Sequence, residues 1–427
     1  MRLASAACLL ALFTFAAEAA NQIIPAENKP GNGAANPLVD GIAAYQRGDY
    51  AAAMRLLRPL AEQGIYPAQS GLCLMYANGK GVTQDYAQAA MWCRRAADQG
   101  DQGAEYTLGV MYQRSAGVPK DDAQAVKWYR QAADQGNADA QASLGWMYSQ
   151  GLGIPQDFSQ AVHWSRKAAD RGNAYAETNL GTAYLNGEGV ERDIAAATIW
   201  LRKAADQGNS QAQRKLGWMF ELGQGVPKDP VQAASWYVKA ANQGDPDAQT
   251  NLGLLYAEGE GVTQDLREAI AWLRKGADQG STQAQYNLGA FYAEGRGVTQ
   301  DFVQSFNWFS KAAENGDAGA QMALGWMYAD GQEGKPQDFA QAVHWFSKAA
   351  EQGNAYAQAN LGWLYANGQG VEQDDSQALI WSTLAAAHGE DVAARDLALK
   401  VRDSVAARMT PAEIADAERI ARERFPK

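Results

Sequence analysis

A chain of 427 residues with a formal net charge of −11 and no basic tract is poorly suited to nucleic acid or an anionic lipid surface. Its three cysteines are too few for a scaffold built on disulfides. With 47% hydrophobic residues it can build a large core, yet its tryptophans recur at a fixed interval, which implies one elongated array rather than several globules.

Residues 1–19 read as a secretory signal: Arg2 precedes an apolar run from Leu3 to Phe15, and Ala17-Glu18-Ala19 is a small-x-small site. The rival reading, a membrane anchor, fails because the run is too short to span and nothing like it follows, so the mature chain is expected to hold no integral membrane segment. Cys8 lies too early in the run to be a lipoprotein cysteine. Residues 20–37, rich in Asn, Pro and Gly, read as a flexible linker. Residues 38–64 then form a shortened capping unit, with a tight turn at Gly48 to Tyr50 and Leu56 where later units carry Trp.

From 65 to 389 nine near copies of one unit follow. Their anchors are Trp92, Trp128, Trp164, Trp200, Trp236, Trp272 and Trp308, 36 residues apart, then Trp345 and Trp381. A period of that length signals a solenoid whose units bury their apolar faces against their neighbours. Each unit reads as an antiparallel pair of helices. Ala140, Leu144 and Tyr148 share a face of the first helix at four-residue spacing. Gly145 permits a close approach, for which Ala161 and Ala168 on the second helix offer a flat surface. Gly151 and Gly153 can end the first helix at positive φ, Asp157 with Gln160 has capping-box spacing for the second, and Gly172 closes the unit. Beyond the repeats, residues 390–427 keep helical character as a cap, with a capping box at Thr410 to Glu413.

The pattern A-x-x-x-L-G-x-x-Y-x-x-G-x-G-V-x-x-D-x-x-x-A-x-x-W-x-x-x-A-A-x-x-G resembles the Sel-one-like repeat, a longer-looped relative of the tetratricopeptide repeat. Departures fall at Cys73, Ser115, Phe220 and Gly276 and in the loop from Gly331 to Asp338, one residue longer than its neighbours. The resemblance implies an all-α fold, a right-handed superhelical solenoid of antiparallel helix pairs. It also implies a scaffold for proteins, often in bacterial envelopes or in infection. Some cysteine-rich members of that family have been described as β-lactamases. Their paired cysteines are replaced here, as at Ala132 and Ala140, and S-x-x-K and K-T-G are absent.

Catalytic constellations are missing from the sequence. No H-E-x-x-H, paired C-x-x-C or nucleophile elbow occurs, so neither cofactor nor metal is expected. His163 and His344 repeat beside Trp164 and Trp345, and His388 sits at a helix end. The Gly-x-Gly at Gly259 and Gly261 recurs as a turn and lacks the strand that a phosphate loop needs. Export, few cysteines and no N-x-S/T acceptor place the chain in a bacterial periplasm or among secreted proteins.

One stripe on the first helices is left over. Trp146, Trp218, Trp326 and Trp363 lie about 200° around the helix from the core Leu, away from the hairpin's own core. Asn179, Asn251, Asn287 and Asn360 occupy the place three residues before those Trp. Tyr106, Arg214, Tyr286 and Met322 come one place earlier again. By resemblance to tetratricopeptide arrays the stripe lines a concave groove for a protein or peptide of the envelope or a host; packing between adjacent first helices would serve equally as its role. Aromatic rings also stack on sugars, so a glycan such as peptidoglycan or exopolysaccharide is the alternative ligand. Cys73 and Cys93 fall on facing helices of one unit, where a disulfide or two buried thiols both fit.

Overall fold

The structure, a computed structural model, describes residues 36–331, 336–388 and 391–424. The expected signal (1–19), nearly all of the linker and the middle of the Gly331–Asp338 loop lie outside the described residues. Those described form 22 helices and no strand.

The helices run α1 (Pro37–Gln46), α2 (Tyr50–Glu62), α3 (Tyr66–Asn78), α4 (Tyr86–Ala97), α5 (Gln102–Arg114), α6 (Asp122–Asp134), α7 (Ala138–Gln150) and α8 (Phe158–Ala169). Next come α9 (Ala174–Asn186), α10 (Ile194–Asp206), α11 (Ser210–Leu222), α12 (Pro230–Asn242), α13 (Pro246–Glu258), α14 (Leu266–Asp278), α15 (Thr282–Glu294) and α16 (Phe302–Glu314). The last are α17 (Ala318–Asp330), α18 (Phe339–Glu351), α19 (Ala355–Asn367), α20 (Asp375–His388), α21 (Val392–Ala406) and α22 (Pro411–Arg424). Two compact units result, one through Leu216 with Gln224–Val226, the other comprising Gly217–Gly223 and the chain from Pro227 onward. Within each, helices pack on their sequence neighbours as a series of hairpins.

Local chemistry fixes each hairpin. Asp157 Oδ1 accepts from the Gln160 amide and starts α8, and its counterparts from Asp85 to Asp374 do the same. The first helices are capped as well, by Asp101, Asn137, Asn173, Asp245, Ser281, Asp317 and Asn354, a signal the sequence reading passed over. Gly151 ends α7 at φ 66°, and Gly153, also at φ 66°, lies so close to the backbone of Asp122 that a Cβ has no room. The second loop glycine therefore docks each hairpin onto the start of the preceding second helix.

The repeated Trp are core. Trp92, Trp128, Trp164, Trp236, Trp308 and Trp381 are buried, and Trp200, Trp272 and Trp345 are half-buried. A lysine one turn on lies over many of these rings, as Lys167 over Trp164 at 4.5 Å and Lys275 over Trp272 at 3.6 Å, so the outward face is covered by a cation and its aliphatic stem.

Both ends are closed. Asn36 caps α1, which begins at Pro37, the last residue of the expected linker. Leu57 of α2 sits beneath Gly41 of α1 as the first buried layer. At the far end Val401, Val405, Ala417 and Ala421 of α21 and α22 cover the last hairpin around Trp381, whose ring also takes Arg424 at 4.4 Å. The Thr410–Glu413 box closes in both directions, Thr410 N donating to Glu413 Oε2 at 2.7 Å and Glu413 N to Thr410 Oγ1 at 3.3 Å.

Candidate partner-binding face

What each first helix presents depends on how it meets its own second helix. The glycine after the core Leu faces the residue that follows the repeated Trp: Gly109 meets the Tyr129 ring, Gly217 Tyr237, Gly289 Phe309 and Gly325 Phe346. Leu201 and Leu273 do the same over Gly181 and Gly253. A Cβ would collide with these groups, which explains the glycine and sets the rotation of the helix. At Gly145 the facing groups are Ser165 Oγ and the Ala161 carbonyl oxygen; Ala168 is not among its nearest neighbours.

The stripe residues divide. Trp326 is 39% exposed and Trp363 37%, the only exposed tryptophans among the described residues. Trp326 keeps one edge on the Phe346 ring at 6.0 Å, so it leans on its own hairpin rather than standing wholly clear of it. Trp146 and Trp218 are half-buried. The asparagines face less outward than the stripe implies. Asn287 Nδ2 donates to its own helix at Gln283 O (2.8 Å), Asn360 Nδ2 to Tyr356 O (2.8 Å), and Asn360 is buried. Asn179 and Asn251 are half-buried.

Tyr286 stacks at a tilt on Phe309, 5.6 Å between centroids, and burial pushes its phenol pKa up, reinforced by Asp317 and Glu294. Met322 is half-buried and packs on the C-terminal core. Tyr106 is buried against Tyr129. His163 and His344 are exposed, each edge-on to its neighbouring Trp, while the side chain of His388 lies outside the described residues. Among the described residues no group of three or more His, Cys, Asp or Glu is placed to hold a metal, and no helix is long and apolar enough to cross a membrane.

Cys73 and Cys93 are joined, with Cα atoms 5.1 Å apart and both residues buried. Cys73 stands at the glycine position and Cys93 directly after Trp92, at the place of the facing ring. The bond therefore replaces a glycine–ring contact.

Beside Trp146 the first unit holds a hollow of about 330 Å³, walled by Trp146, Ser165, Tyr175, Asn179, Arg214 and Lys215. Ser165 is among its walls and stands where six other hairpins carry Tyr, Phe or Leu, as Ser382 does opposite Gly362. The sequence contains that signal, a serine after Trp164 and again after Trp381, but the period of the Trp alone does not show it. Burial lowers the Lys215 pKa and the charge of Arg214 lowers it further, against Glu188, which raises it. Asn179 Nδ2 is buried with no hydrogen-bond partner.

Serial capped hairpins, each packed on its sequence neighbours, define an α-helical repeat protein of the solenoid class. The Sel1 repeat profile matches residues 67–101, 103–137, 138–173, 174–209, 210–245, 246–281, 282–317, 318–354 and 355–390, and the chain belongs to the Sel1 repeat family. Such proteins generally serve as protein-interaction scaffolds. The chain is similar to a protective antigen of uropathogenic Escherichia coli strains with an SLR fold, at 33% identity over 96% of this chain and 94% of that one, TM-score 0.55. It is also similar to a Sel1 repeat protein from Oxalobacter formigenes, at 35% identity over 73% of this chain and 90% of that one, TM-score 0.55. No curated protein matches it.

Proposed function

We propose that the protein is an exported, non-catalytic scaffold that holds a protein or peptide of the bacterial envelope or of a host against the first-helix face of its hairpins. The observation that carries this reading is the exposure of Trp326 and Trp363, when the Trp of the second helices are buried or half-buried, many of them beneath a lysine. Large rings left in water are the usual anchors of an interface. Export is supported by the Cys73–Cys93 bond, which persists in an oxidising compartment, and by the likeness to an antigen of a pathogenic bacterium.

Immobilised mature protein should retain a partner from the native envelope. Trp326→Ala or Trp363→Ala should weaken that binding by about 2 kcal/mol or more with helicity intact. If these substitutions lower the melting temperature as much as Trp164→Ala and leave affinity unchanged, the rings are packing and the reading fails. Retention of purified peptidoglycan or exopolysaccharide with the same Trp dependence would replace the peptide by a glycan. Export itself is checked by N-terminal sequencing, which should begin near Ala20 or Asn21; intact Met1 in the exported fraction would contradict it.

A further inference from the structure

We infer that a hollow beside Gln141 takes a primary carboxamide, the side chain of a glutamine or asparagine on a partner peptide, whose N–H₂ donates to Gln141 Oε1. This adds a second contact to the scaffold reading and rests on it.

The site is a break in a hydrogen-bond rule that six hairpins keep. In these, a buried Gln or Glu near the start of the first helix accepts from a carboxamide just past the second helix. Gln99 donates to Gln69 (2.8 Å), Gln135 to Glu105 (2.7 Å) and Gln207 to Glu177 (2.7 Å). Gln279 donates to Gln249 (2.7 Å), Asn315 to Gln285 (3.1 Å) and Gln352 to Gln321 (2.8 Å). In the hairpin of α7 and α8 the donor's place is held by Arg171, which donates to the Gly136 carbonyl oxygen instead. Gln141 is 3% exposed and its Nε2 is spent on Ala133 O, so its Oε1 is buried with no hydrogen-bond partner. Gln358 Oε1 is unpartnered too, but the residue in its donor's place is His388, whose side chain lies outside the described residues.

A hollow of about 350 Å³ opens here, walled by Asp134, Gly136, Gln141, Lys167, Asp170 and Arg171. Gln141 Oε1 is turned toward it, because in the six other hairpins the corresponding oxygen meets a group arriving from just past the second helix, and that stretch is here the wall at Asp170 and Arg171. A buried acceptor without a donor has lost its bonds to water and gained none in return, so a donor from outside forms a bond at a group that is already desolvated.

Charge and the array's own chemistry select the donor. Two acids, Asp134 and Asp170, balance two bases, and both bases are engaged, Lys167 over Trp164 at 4.5 Å and Arg171 at Gly136 O. An ammonium or guanidinium would add a third positive charge, and a carboxylate would set its lone pairs against those of Gln141 Oε1. A primary carboxamide is neutral and carries two N–H groups. Gln99 and Gln279 show where the second goes: they donate also to Arg95 O (3.1 Å) and Lys275 O (3.4 Å) in the last turn of the second helix, the place that Lys167 holds here. The N-acetyl group of a sugar has one N–H and a methyl, and serves only one of the two acceptors.

The test is to pan the full mature chain against a phage-displayed random peptide library. Enriched sequences should share a glutamine or asparagine, and exchanging it for glutamate or methionine should weaken binding at least about tenfold. Arg171→Gln supplies the amide used by the other hairpins, so it should raise the melting temperature while it weakens the best peptide at least about tenfold, which separates a filled site from a misfolded one. Gln141→Leu removes the acceptor and should weaken it as much, whereas Arg171→Ala leaves the hollow open and should retain binding. An unchanged melting temperature in Arg171→Gln would show that the amide does not reach Gln141 and overturns the assignment. Peptides indifferent to Arg171→Gln overturn it as well, and if they depend on Trp326 or Trp363 the scaffold reading stands. Enriched Lys or Arg whose binding is lost in Gln141→Leu overturns it in favour of a cation. Binding of chitotriose that Arg171→Gln abolishes, with no peptide enriched, overturns it in favour of a glycan. No enriched peptide at all overturns it, and the scaffold reading falls with it when the native envelope also yields no partner.

Discussion

Glu105 shows how much one buried residue can carry. In most hairpins a buried glutamine of the first helix donates to a carbonyl at the end of the preceding second helix, as Gln141 Nε2 does to Ala133 O (2.9 Å) and Gln285 to Ala277 O (3.1 Å). Gln69 and Gln249 also accept from a side-chain amide just past the second helix of their own hairpin, Gln99 and Gln279. Glu105 takes this place, buried to 3% exposure, and accepts from Gln135 Nε2 at 2.7 Å. Ionised, it has no proton to donate. Burial, helped by Asp101, pushes its pKa up to about 7 from 4.5. The folded state thus prefers the protonated acid, so this contribution is full below pH 4.5 and is lost as pH rises towards 7, at most about 3 kcal/mol. Glu105→Gln should flatten that part of the stability profile and raise the melting temperature above pH 7. An unchanged slope in urea titrations between pH 4.5 and 7 would show that Glu105 does not titrate there. Ser115, which ends α5 at φ 57° where other loops use glycine, gives a second case. Ser115→Gly should stabilise by about 0.5–1 kcal/mol, the left-handed strain relieved less the entropy glycine adds to the unfolded chain, as read from chemical denaturation.

At the scale of the helical pair, the Cys73–Cys93 bond and the glycine–ring contact are two solutions to one problem, the spacing of α3 from α4. Converting one into the other is a test. Cys73→Gly with Cys93→Phe should restore the packing of Gly289 on Phe309 and remain within about 1 kcal/mol of the oxidised parent, while losing sensitivity to reductant. Cys73→Ala with Cys93→Ala should cost about 2–4 kcal/mol, since the cross-link is lost and no ring replaces it. Equal losses from both pairs would mean that the ring does not substitute for the bond. The same contact shows what was legible in the sequence. Leu144, Gly151, Asp157 and Trp164 act locally or at helical period, so their roles could be read from spacing. The partner of Gly145 is Ser165, not Ala168, because that depends on how two helices are rotated against each other. The buried glutamines and Glu105 left no trace, since a polar residue on a helix gives no apolar signal. Asn287 and Asn360 bond their own helices, a competition from the backbone that a stripe drawn on a wheel does not include. Which Trp of that stripe stays exposed was equally hidden, being decided by neighbours such as Phe346.

At the scale of the whole chain, the way contacts are distributed sets how damage spreads. Within each unit, substantial helix–helix contacts join only neighbours and next neighbours in sequence, so no residue of one hairpin touches a distant one through a shared core. Stability in such an array is close to a sum of hairpin and interface terms. Trp308 illustrates the consequence: it is buried on α16, beneath Lys311 at 4.0 Å, and packs among Ala284, Leu288 and Phe291 of α15. Trp308→Ala should remove about 3–5 kcal/mol of local packing. A protein with a single core would spend that loss everywhere, and amide exchange would accelerate along the entire chain. Here exchange monitored by mass spectrometry should accelerate across α15 to α18 and stay at parental rates in α3 to α8. Uniform acceleration over both regions would show that the array opens as one cooperative body, and the sum of local terms would then be the wrong description of its stability.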